Sequence, residues 1–418
     1  MKEKLLIYNI GQLLTLKSSK DTPRKGKKLS DLGVVNNASV LIQGDKIAKC
    51  GVEREVLRGI KRSSISKEID AKGMMVSPGF VDPHTHPVFF GTREEEFCMR
   101  LAGMKYMDIA AAGGGIRNSA RRFRKATKSD IKKQTRTVLK RLLKHGITTI
   151  EAKSGYGLSF DSEVKALEVI KELNGKQPIE MVPTFLGAHE FPDEYRDNRE
   201  EYIRILVEEM IPYVAENNLA EYCDIFCEEG VFDVEQSRKI LKAAQKQGLK
   251  IRMHADEIHP IGGAELAAEI KAKTADHLVA ISDEGIRMMA KAGVMPILLP
   301  ATSFSLNTGK YAPARKMIEA GLPVCLSTDC NPGSSYTESA SFVITLACLH
   351  LKMSPEEAFA AYTINPAYSL DRNHLIGSIE AGKMADLIIW ETPNYREIPY
   401  HCSVNLVSRV IKGGKKVV

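Results

Sequence analysis

The chain has 418 residues, of which 44% are hydrophobic, and it carries a formal net charge of +7. This length suits one large barrel of about 250 residues or more together with a smaller satellite domain. No apolar run approaches the roughly 18 to 20 residues that cross a bilayer, so we expect no membrane partner.

Basic residues are densest in residues 116–146, which raises the question of a nucleic-acid partner. From Ser129, which we expect to cap a helix, the apolar positions follow helical spacing: Ile131, Thr135, Val138, Leu139, Leu142 and Leu143. The lysines and arginines then lie on the outer face of an amphipathic helix. Because no aromatic residues are interleaved with them, we expect no nucleic-acid partner.

Cysteine usage indicates the compartment. Eight cysteines are scattered along the whole chain, whereas disulfide frameworks are dense in short secreted chains. We therefore expect a reduced, cytoplasmic protein.

The two ends of the chain differ from its middle. Residues 1–16 predict a first strand, and two short apolar runs around Gly44-Asp45 predict a hairpin. Near the C-terminus, short apolar runs alternate with glycine turns and no long helix separates them. These patterns predict that both ends of the chain are all-β.

The middle of the chain, residues 75–374, alternates apolar runs with helical patterns. Eight candidate strands are visible, at 75–85, 147–153, 179–187, 222–228, 249–256, 274–280, 294–301 and 323–329. Buried parallel strands read as near-continuous apolar runs and need helical crossovers, so this pattern predicts an α/β fold, a (β/α)8 TIM-like barrel. An open doubly wound sheet is the alternative, but neither nucleotide-binding glycine fingerprint is present.

Polar residues gather where the predicted strands end, which is where barrel enzymes carry their chemistry. Five of the ten histidines lie at or near these ends: 84, 86, 189, 254 and 277. Two histidines at i and i+2 point to one side of a strand, so His84 and His86 can reach one cation, with His254 and Asp329 approaching from across the barrel mouth. Three nitrogens and one oxygen suit one divalent metal ion, Zn²⁺ or Fe²⁺, and leave a position for water.

These residues resemble the amidohydrolase superfamily of metal-dependent hydrolases. The resemblance is carried by GFVDPHTH at 79–86, by the strand-end His254 and Asp329, and by GKMADL at 382–387. Within the superfamily, the chain is similar to the branch that opens the ring of 4-imidazolone-5-propanoate. That similarity extends over residues 84–334 and rests on HTHPVFFGTREEEF, KSGYGL, PTFLGAHE, HADE, TADHL and STDCNPGSS.

The resemblance implies hydrolysis of 4-imidazolone-5-propanoate to N-formimidoyl-L-glutamate in histidine degradation. It implies metal ligation by His84, His86, His254 and Asp329, and substrate contacts from Arg93, Tyr156 and His189. It also places Glu257 against the ring, and Asn331, Gly333 and Ser334 near the amino-acid end of the product. The resemblance also implies that residues 1–74 with 375–418 form a small β-sandwich domain, and it implies a homodimer as the assembly.

The chemistry of these side chains agrees with a small anionic substrate. Arg93 can hold a carboxylate in a bidentate fork, although a surface ion pair with Glu94, Glu95 or Glu96 is an alternative. The metal or His277 could stabilise the oxyanion, and Glu257 or Asp329 could move the proton between water and the leaving nitrogen.

Three alternatives stay open at this point. A deaminase of the same superfamily would act on a nucleobase-like ring. A binuclear hydrolase would use a carboxylated lysine at the end of the fourth strand, which here reads YCDIFCEEG, whereas Lys153 ends the second strand. A metal-free binding protein could keep the barrel without the chemistry.

Overall fold

The structure is a computed structural model that describes residues 3–17, 21–104, 108–109 and 112–418. Its strands form two sheets, one from the chain ends and one in the middle. In chain order the strands are β1 Lys4–Leu14, β2 Val34–Gln43, β3 Lys46–Val52, β4 Lys67–Asp70, β5 Val76–Pro78, β6 Phe80–Asp82, β7 Ile147–Lys153, β8 Glu180–Ala188, β9 Tyr222–Cys227, β10 Lys250–Ile251, β11 His254–Ala255, β12 Thr274–His277, β13 Met295–Leu298, β14 Cys325–Leu326, β15 Leu387–Trp390, β16 Val407–Lys412 and β17 Lys415–Lys416.

The sheet of the chain ends has the order β17-β16-β15-β5-β1-β2-β3, with β4 paired to β1. The antiparallel pairing of β2 with β3 confirms the hairpin at Gly44-Asp45. Pairing of β15 with β5 joins the two ends of the chain in one sheet. The strands bury an apolar cluster of their own, which includes Ile7, Leu13, Val40 and Leu387.

The middle of the chain forms a nearly closed barrel in the order β14-β13-β12-β11-β9-β8-β7-β6, with β10 paired to β9. Every pairing in it is parallel. Each of the eight predicted strands has its counterpart, so the predicted barrel is confirmed. The strand predicted at 249–256 is two short pieces, β10 and β11.

The first predicted strand, 75–85, is not a single barrel strand. β5 belongs to the sheet of the chain ends, whereas β6 pairs with β7 in the barrel. Gly79 lies between them at a tight contact, since a Cβ there would stand 2.4 Å from Thr148 Oγ1. Both halves are apolar, so the sequence pattern could not show where the chain passes from one sheet to the other.

Hydrogen bonds between the first and last barrel strands close the barrel. The backbone N–H of His86 donates to Cys330 O at 3.0 Å. The buried Asp82 carboxylate accepts from Thr328 Oγ1 at 2.6 Å and from the Tyr362 hydroxyl at 2.9 Å. Burial raises the pKa of Asp82 to about 6, against the hydrogen bonds that favour its ionised form.

Helices cover the outside of the barrel and connect its strands. The α-helices are Glu53–Val56, Glu94–Leu101, Gly115–Lys125, Lys128–Lys144, Phe160–Leu173, Arg199–Ile205, Ile211–Glu216, Val234–Lys246, Gly263–Glu269, Asp283–Ala292, Pro300–Ser305, Ala314–Glu319, Ala340–His350, Pro355–Ala361, Ile364–Ser369 and Glu397–Tyr400. A π-helical segment, Leu206–Met210, joins two of them, and 3-10 turns cover Gly26–Ser30, Arg62–Ser64 and Asp193–Tyr195.

The basic helix is amphipathic as predicted, but its N-terminal cap is not Ser129. It spans Lys128–Lys144, and the hydroxyl of Thr127 accepts from the Asp130 N–H. Ser129 lies inside the first turn and is exposed. Among the described residues, none of the helices has the length and apolar character that a bilayer crossing requires.

Candidate metal centre and substrate cavity

The predicted metal ligands meet at the carboxyl end of the barrel. His84 and His86 follow β6, His254 opens β11, and Asp329 follows β14. All four side chains are buried. Strands that are adjacent in a closed barrel, or face each other across it, thus bring together residues that are far apart in sequence.

The ligand atoms form two overlapping groups that share His84, and the first contains His84, His86 and Asp329. His84 Nε2 lies 3.3 Å from His86 Nε2 and 3.6 Å from Asp329 Oδ1, and His86 Nε2 lies 3.5 Å from the same oxygen. The rings of His84 and His254 have centroids 4.5 Å apart. His84, His254 and His277 form a second, overlapping group with ligand spacing.

Two buried carboxylates orient two of the histidines. Asp276 Oδ2 lies 2.6 Å from His84 Nδ1, and Asp224 Oδ2 lies 3.0 Å from His254 Nδ1. A proton on His84 Nδ1 faces its carboxylate and leaves Nε2 with a free lone pair for a metal, whereas His254 Nδ1 lies at ion-pair distance from Asp224 without hydrogen-bond geometry. The buried Nε2 of His254 has no hydrogen-bond partner among the described residues.

The donor set fits a divalent cation. Burial holds the pKa values of His84 and His86 well below their ordinary range, so both rings are neutral and can act as ligands. Three imidazoles and one carboxylate, shielded from water, are a common ligand set for Zn²⁺ and for Fe²⁺.

A cavity of about 250 Å³ opens above this cluster. That volume lies below the roughly 300 to 1,000 Å³ typical of drug-sized ligands, so the cavity suits a small metabolite. It is lined by His86, Arg93, Ile116, Tyr156, His189, Phe226, His254, Glu257, Ile258, His277, Leu306, Thr308, Asp329, Asn331 and Ser334. The structure therefore brings ten of the twelve predicted site residues to one cavity, with His84 beneath them and Gly333 in an adjoining groove.

Arg93 lies in the wall of this cavity rather than on the surface. Its side chain is 4% exposed, and its Nε lies 3.6 Å from Glu96 Oε2, which is also buried. The alternative was a surface ion pair with a neighbouring glutamate. The ion pair with Glu96 is present, but it is buried rather than on the surface. It holds the guanidinium at the edge of the cavity.

Tyr156 and His189 form a second part of the wall. The His189 ring stacks on His86 with centroids 5.1 Å apart, and its Nδ1 donates to Gly155 O at 2.8 Å. Burial lowers the pKa of His189 to about 3, so the ring is neutral near pH 7. Tyr156 lies beside it, with ring centroids 5.4 Å apart.

Two acidic side chains that line the cavity, Glu257 and Asp329, have raised pKa values. Burial, together with the nearby Asp329 carboxylate, raises the pKa of Glu257 to about 8. Burial raises the pKa of Asp329 to about 7, against a hydrogen bond of 2.6 Å from the Thr302 hydroxyl. His277 Nδ1 lies 3.6 Å from Glu257 Oε1, which places an imidazole beside the protonated carboxyl.

The loop after β14 is held by Asn331. Its side-chain oxygen accepts from the N–H groups of Gly333 and Ser334 at 2.8 Å each, and its amide donates to Asp329 O at 2.7 Å. A Cβ at Gly333 would stand 1.1 Å from an Nη of Arg93. Only glycine leaves room for the guanidinium at this position.

Two residues at strand ends have left-handed backbone conformations. His277 has φ of 72° and Asp329 has φ of 51°. Such conformations cost of order 1–3 kcal/mol for residues other than glycine and cluster at functional sites.

Sequence reasoning missed the polar residues beneath the histidines. Asp224, Asp276 and Arg252 are fully buried there, and Glu151 and Lys153 join them. One signal was available, since a charged residue within an apolar strand, as in YCDIFC, must find a partner when it is buried. Which residue becomes that partner depends on which strands are neighbours in the barrel, and the sequence pattern does not show this.

Comparison with known proteins agrees with this site. The sequence profile of the amidohydrolase family matches residues 75–417. Imidazolonepropionase of Alkaliphilus metalliredigens (strain QYMF) is 50% identical over 416 residues, covering 99% of this chain and 98% of that protein. Imidazolonepropionase of Geobacillus kaustophilus (strain HTA426) is 50% identical over 415 residues, with the same coverage of both chains.

Solved structures agree on the fold. Guanine deaminase of E. coli superposes with a TM-score of 0.74 at 16% identity, covering 99% of each chain. A triazine hydrolase variant gives a TM-score of 0.74 at 18% identity, covering 99% of this chain and 94% of that one. The chain belongs to the amidohydrolase family and, within it, to the imidazolonepropionases.

Proposed function

We propose that the chain hydrolyses 4-imidazolone-5-propanoate to N-formimidoyl-L-glutamate, a step of histidine degradation, by opening a carbon-nitrogen bond of the cyclic amide. The observation that carries the proposal is the pair of buried ligand groups that share His84, whose other members, among them His86, His254 and Asp329, line the same cavity as Arg93. Relatives that carry the imidazolonepropionase name, about half identical over nearly the full chain, support it.

One divalent metal ion, Zn²⁺ or Fe²⁺, is part of this proposal. His84, His86, His254 and Asp329 would hold it. Such an ion supplies Lewis acidity, which makes water a stronger nucleophile near neutral pH.

The cavity wall would bind the substrate through its carboxylate. Arg93 offers a planar fork that matches a carboxylate, with Tyr156 and His189 beside it. Asn331, Gly333 and Ser334 would border the end of the molecule that becomes the amino-acid part of the product, with Asn331 shaping the loop.

Asp329 and Glu257 would together transfer a proton from water to the leaving nitrogen. Water adds to the ring carbonyl carbon and loses a proton to Asp329. The Glu257 carboxyl, protonated below about pH 8, donates a proton to the leaving nitrogen as the carbon-nitrogen bond breaks, and the proton on Asp329 then replaces the one Glu257 has lost. The His277 imidazole donates a hydrogen bond to the developing oxyanion.

A direct assay tests this function. Purified protein is mixed with 4-imidazolone-5-propanoate, and the loss of substrate and the formation of N-formimidoyl-L-glutamate are followed with and without a chelator. We expect turnover that the chelator abolishes and added Zn²⁺ or Fe²⁺ restores. Ammonia release from guanine or cytosine, with no turnover of the imidazolone, would instead establish the deaminase alternative.

We also propose that the chain works as a homodimer in the cytoplasm. All eight cysteines are free thiols, as expected in a reducing compartment. Closed twofold dimers are the commonest homo-oligomers, and exposed apolar side chains such as Phe97, Leu101 and Tyr336 are available for an interface. Sedimentation should give twice the chain mass of 46.3 kDa, and a monomer at micromolar concentration would contradict the dimer.

A further inference from the structure

A network of ionisable groups lies inside the barrel, directly beneath the metal centre. It consists of Glu151, Lys153, Asp224, Arg252 and Asp276, and each of these side chains is fully buried. Burying charge costs free energy unless each group is paired and hydrogen-bonded. Three carboxylates face two cations, so the contacts of each cation decide how the network is held.

Lys153 is at the centre of this network. Its Nζ lies 2.6 Å from Glu151 Oε1, 2.6 Å from Asp224 Oδ2 and 3.9 Å from Asp276 Oδ2. The Arg252 guanidinium lies at the side, 3.4 Å from Glu151 Oε1, and donates to the carbonyls of Pro83 and Ser369. Among the described residues, Lys153 is the cation whose charged atom lies within 4 Å of both aspartates, while the charge of Arg252 acts on them from farther away.

The same two aspartates are the ones that orient the metal-binding histidines. Asp224 faces His254 Nδ1 and Asp276 faces His84 Nδ1. Lys153 is not among the residues that line the substrate cavity. Within the described ranges, its ion pairs are with carboxylates and not with a histidine. Its charge acts directly on the electrostatics of His84 and His254, and its contacts reach the site through the two carboxylates.

We propose that Lys153 is a positioning residue for the metal centre. Its ammonium holds Asp224 and Asp276 in the places from which they accept the Nδ1 protons of His254 and His84, so that both Nε2 atoms stay available as ligands. The inference rests on the metal site of the proposed function. Without the ammonium, the two buried carboxylates lose the cation that contacts both and can turn away, and the histidines lose their fixed neighbours.

Metal affinity of a lysine variant tests the proposal. Lys153→Met keeps the length and volume of the side chain and removes the charge. We expect its dissociation constant for Zn²⁺, measured by competition with a chromophoric chelator on demetallated protein, to rise roughly 10- to 100-fold, as for other changes to groups that orient metal ligands.

A matched control comes from a similar ion pair in the sheet of the chain ends. Lys412 Nζ lies 2.7 Å from Asp386 Oδ2, and its side chain is 15% exposed. Lys412→Met should bind Zn²⁺ as tightly as the unaltered protein. A Lys153→Met protein that is folded and binds Zn²⁺ within twofold of the unaltered protein would overturn the proposal.

Pairing with an aspartate variant shows whether Lys153 acts through Asp224. In the double variant Lys153→Met, Asp224→Asn one positive and one negative charge are removed together, which also gives a folded test protein if the single variant does not fold. We expect its Zn²⁺ dissociation constant to equal that of Asp224→Asn alone within about threefold. Fully additive losses would contradict action through Asp224.

Nitrogen-15 spectra of the histidine rings give a readout that does not need metal. In the demetallated unaltered protein and in Lys412→Met, His84 and His254 should be Nδ1–H tautomers. In Lys153→Met their ring nitrogens should shift toward the other tautomer or a mixture, and unchanged tautomers would overturn the proposal. If the unaltered protein binds no Zn²⁺ or Fe²⁺, the proposed metal function fails, and these spectra still decide the role of Lys153.

Discussion

Arg93 reaches the substrate cavity from a helix start that is itself fixed by neighbouring residues. The Glu96 carboxylate holds its Nε at 3.6 Å, and Gly333 leaves the space that the guanidinium fills. The arginine is thus held in place, and if it binds the substrate carboxylate as proposed, this order would reduce the entropy lost on binding.

Removing this arginine should weaken substrate binding and leave the metal in place. We expect Arg93→Ala to raise KM roughly 10- to 100-fold, because a charge-assisted hydrogen bond contributes about 1.5–3 kcal/mol. Steady-state kinetics and elemental analysis of the same preparation measure both effects. Arg121→Ala is the control, since Arg121 pairs with Asp193 on the rim and does not line the cavity. Loss of metal from Arg93→Ala would show that the arginine supports the metal centre instead.

Glu257 should set the alkaline limit of activity. Its pKa of about 8 means that the carboxyl carries its proton below that pH and loses it above. A group that donates a proton to the leaving nitrogen must be protonated, so kcat should fall as pH rises through about 8.

Glu257→Gln removes that group without changing its size. We expect kcat to fall roughly 10²- to 10⁴-fold, the usual contribution of general acid-base catalysis, with normal metal content. The alkaline decline should disappear from what activity is left. Glu229→Gln, an exposed neighbour on the same rim, should behave like the unaltered protein, and normal turnover of Glu257→Gln would remove Glu257 from the reaction.

Some of these residues could be identified from the sequence and others could not. The histidines and Asp329 stand at the ends of apolar runs, so the position of a strand end predicts where their side chains meet. Lys153 also ends a strand, but that position does not show its partner, because its ion pair with Asp224 joins residues 71 positions apart on different strands. Its role is set by which strands become neighbours once the barrel closes.

For helices and strands too, the sequence predicts some features and misses others. The spacing of apolar residues predicted the eight barrel strands and the amphipathic helix, because residues that are buried together recur at intervals typical of a strand or a helix. It misplaced the start of that helix, since both Thr127 and Ser129 are residue types that cap helices. The choice between them depends on where the preceding helix, Gly115–Lys125, ends.

The cap of this helix can be tested by substitution. We expect Thr127→Ala to lower the free energy of unfolding by about 1 kcal/mol, since its hydroxyl accepts from Asp130 N at 3.2 Å. Ser129→Ala should change it by less than about 0.5 kcal/mol, because Ser129 is exposed inside the first turn. Urea denaturation followed by circular dichroism measures both, and equal losses would show that the two hydroxyls share the cap.

At the scale of the whole molecule, the metal should stabilise the barrel. Its ligands come from β6, β11 and β14, so one ion would tie together strands from the start, middle and end of the barrel. A ligand that binds only the folded state adds about 2.7 kcal/mol of stability at a concentration of 100 times its Kd.

Removing the metal should therefore lower the thermal unfolding temperature by several degrees, as measured by calorimetry with and without a chelator. Adding Zn²⁺ or Fe²⁺ back should restore it. His86→Ala, which lacks one ligand, should show a much smaller response to the chelator. An unfolding temperature that does not respond to the chelator in a protein shown to contain metal would mean that the ion does not bridge these strands.

The path of the chain through Gly79 links the two sheets mechanically. β5 pairs with both β1 and β15. Only Gly79 separates β5 from β6, and His84 and His86 follow the end of β6. The segment that carries His84 and His86, two of the four proposed metal ligands, is thus anchored by a sheet that contains strands from both ends of the chain. Proteolytic removal of the C-terminal strands β15 to β17 would loosen that anchor, because β15 pairs with β5. Such a cut would disturb the proposed metal centre without changing any residue at the barrel mouth.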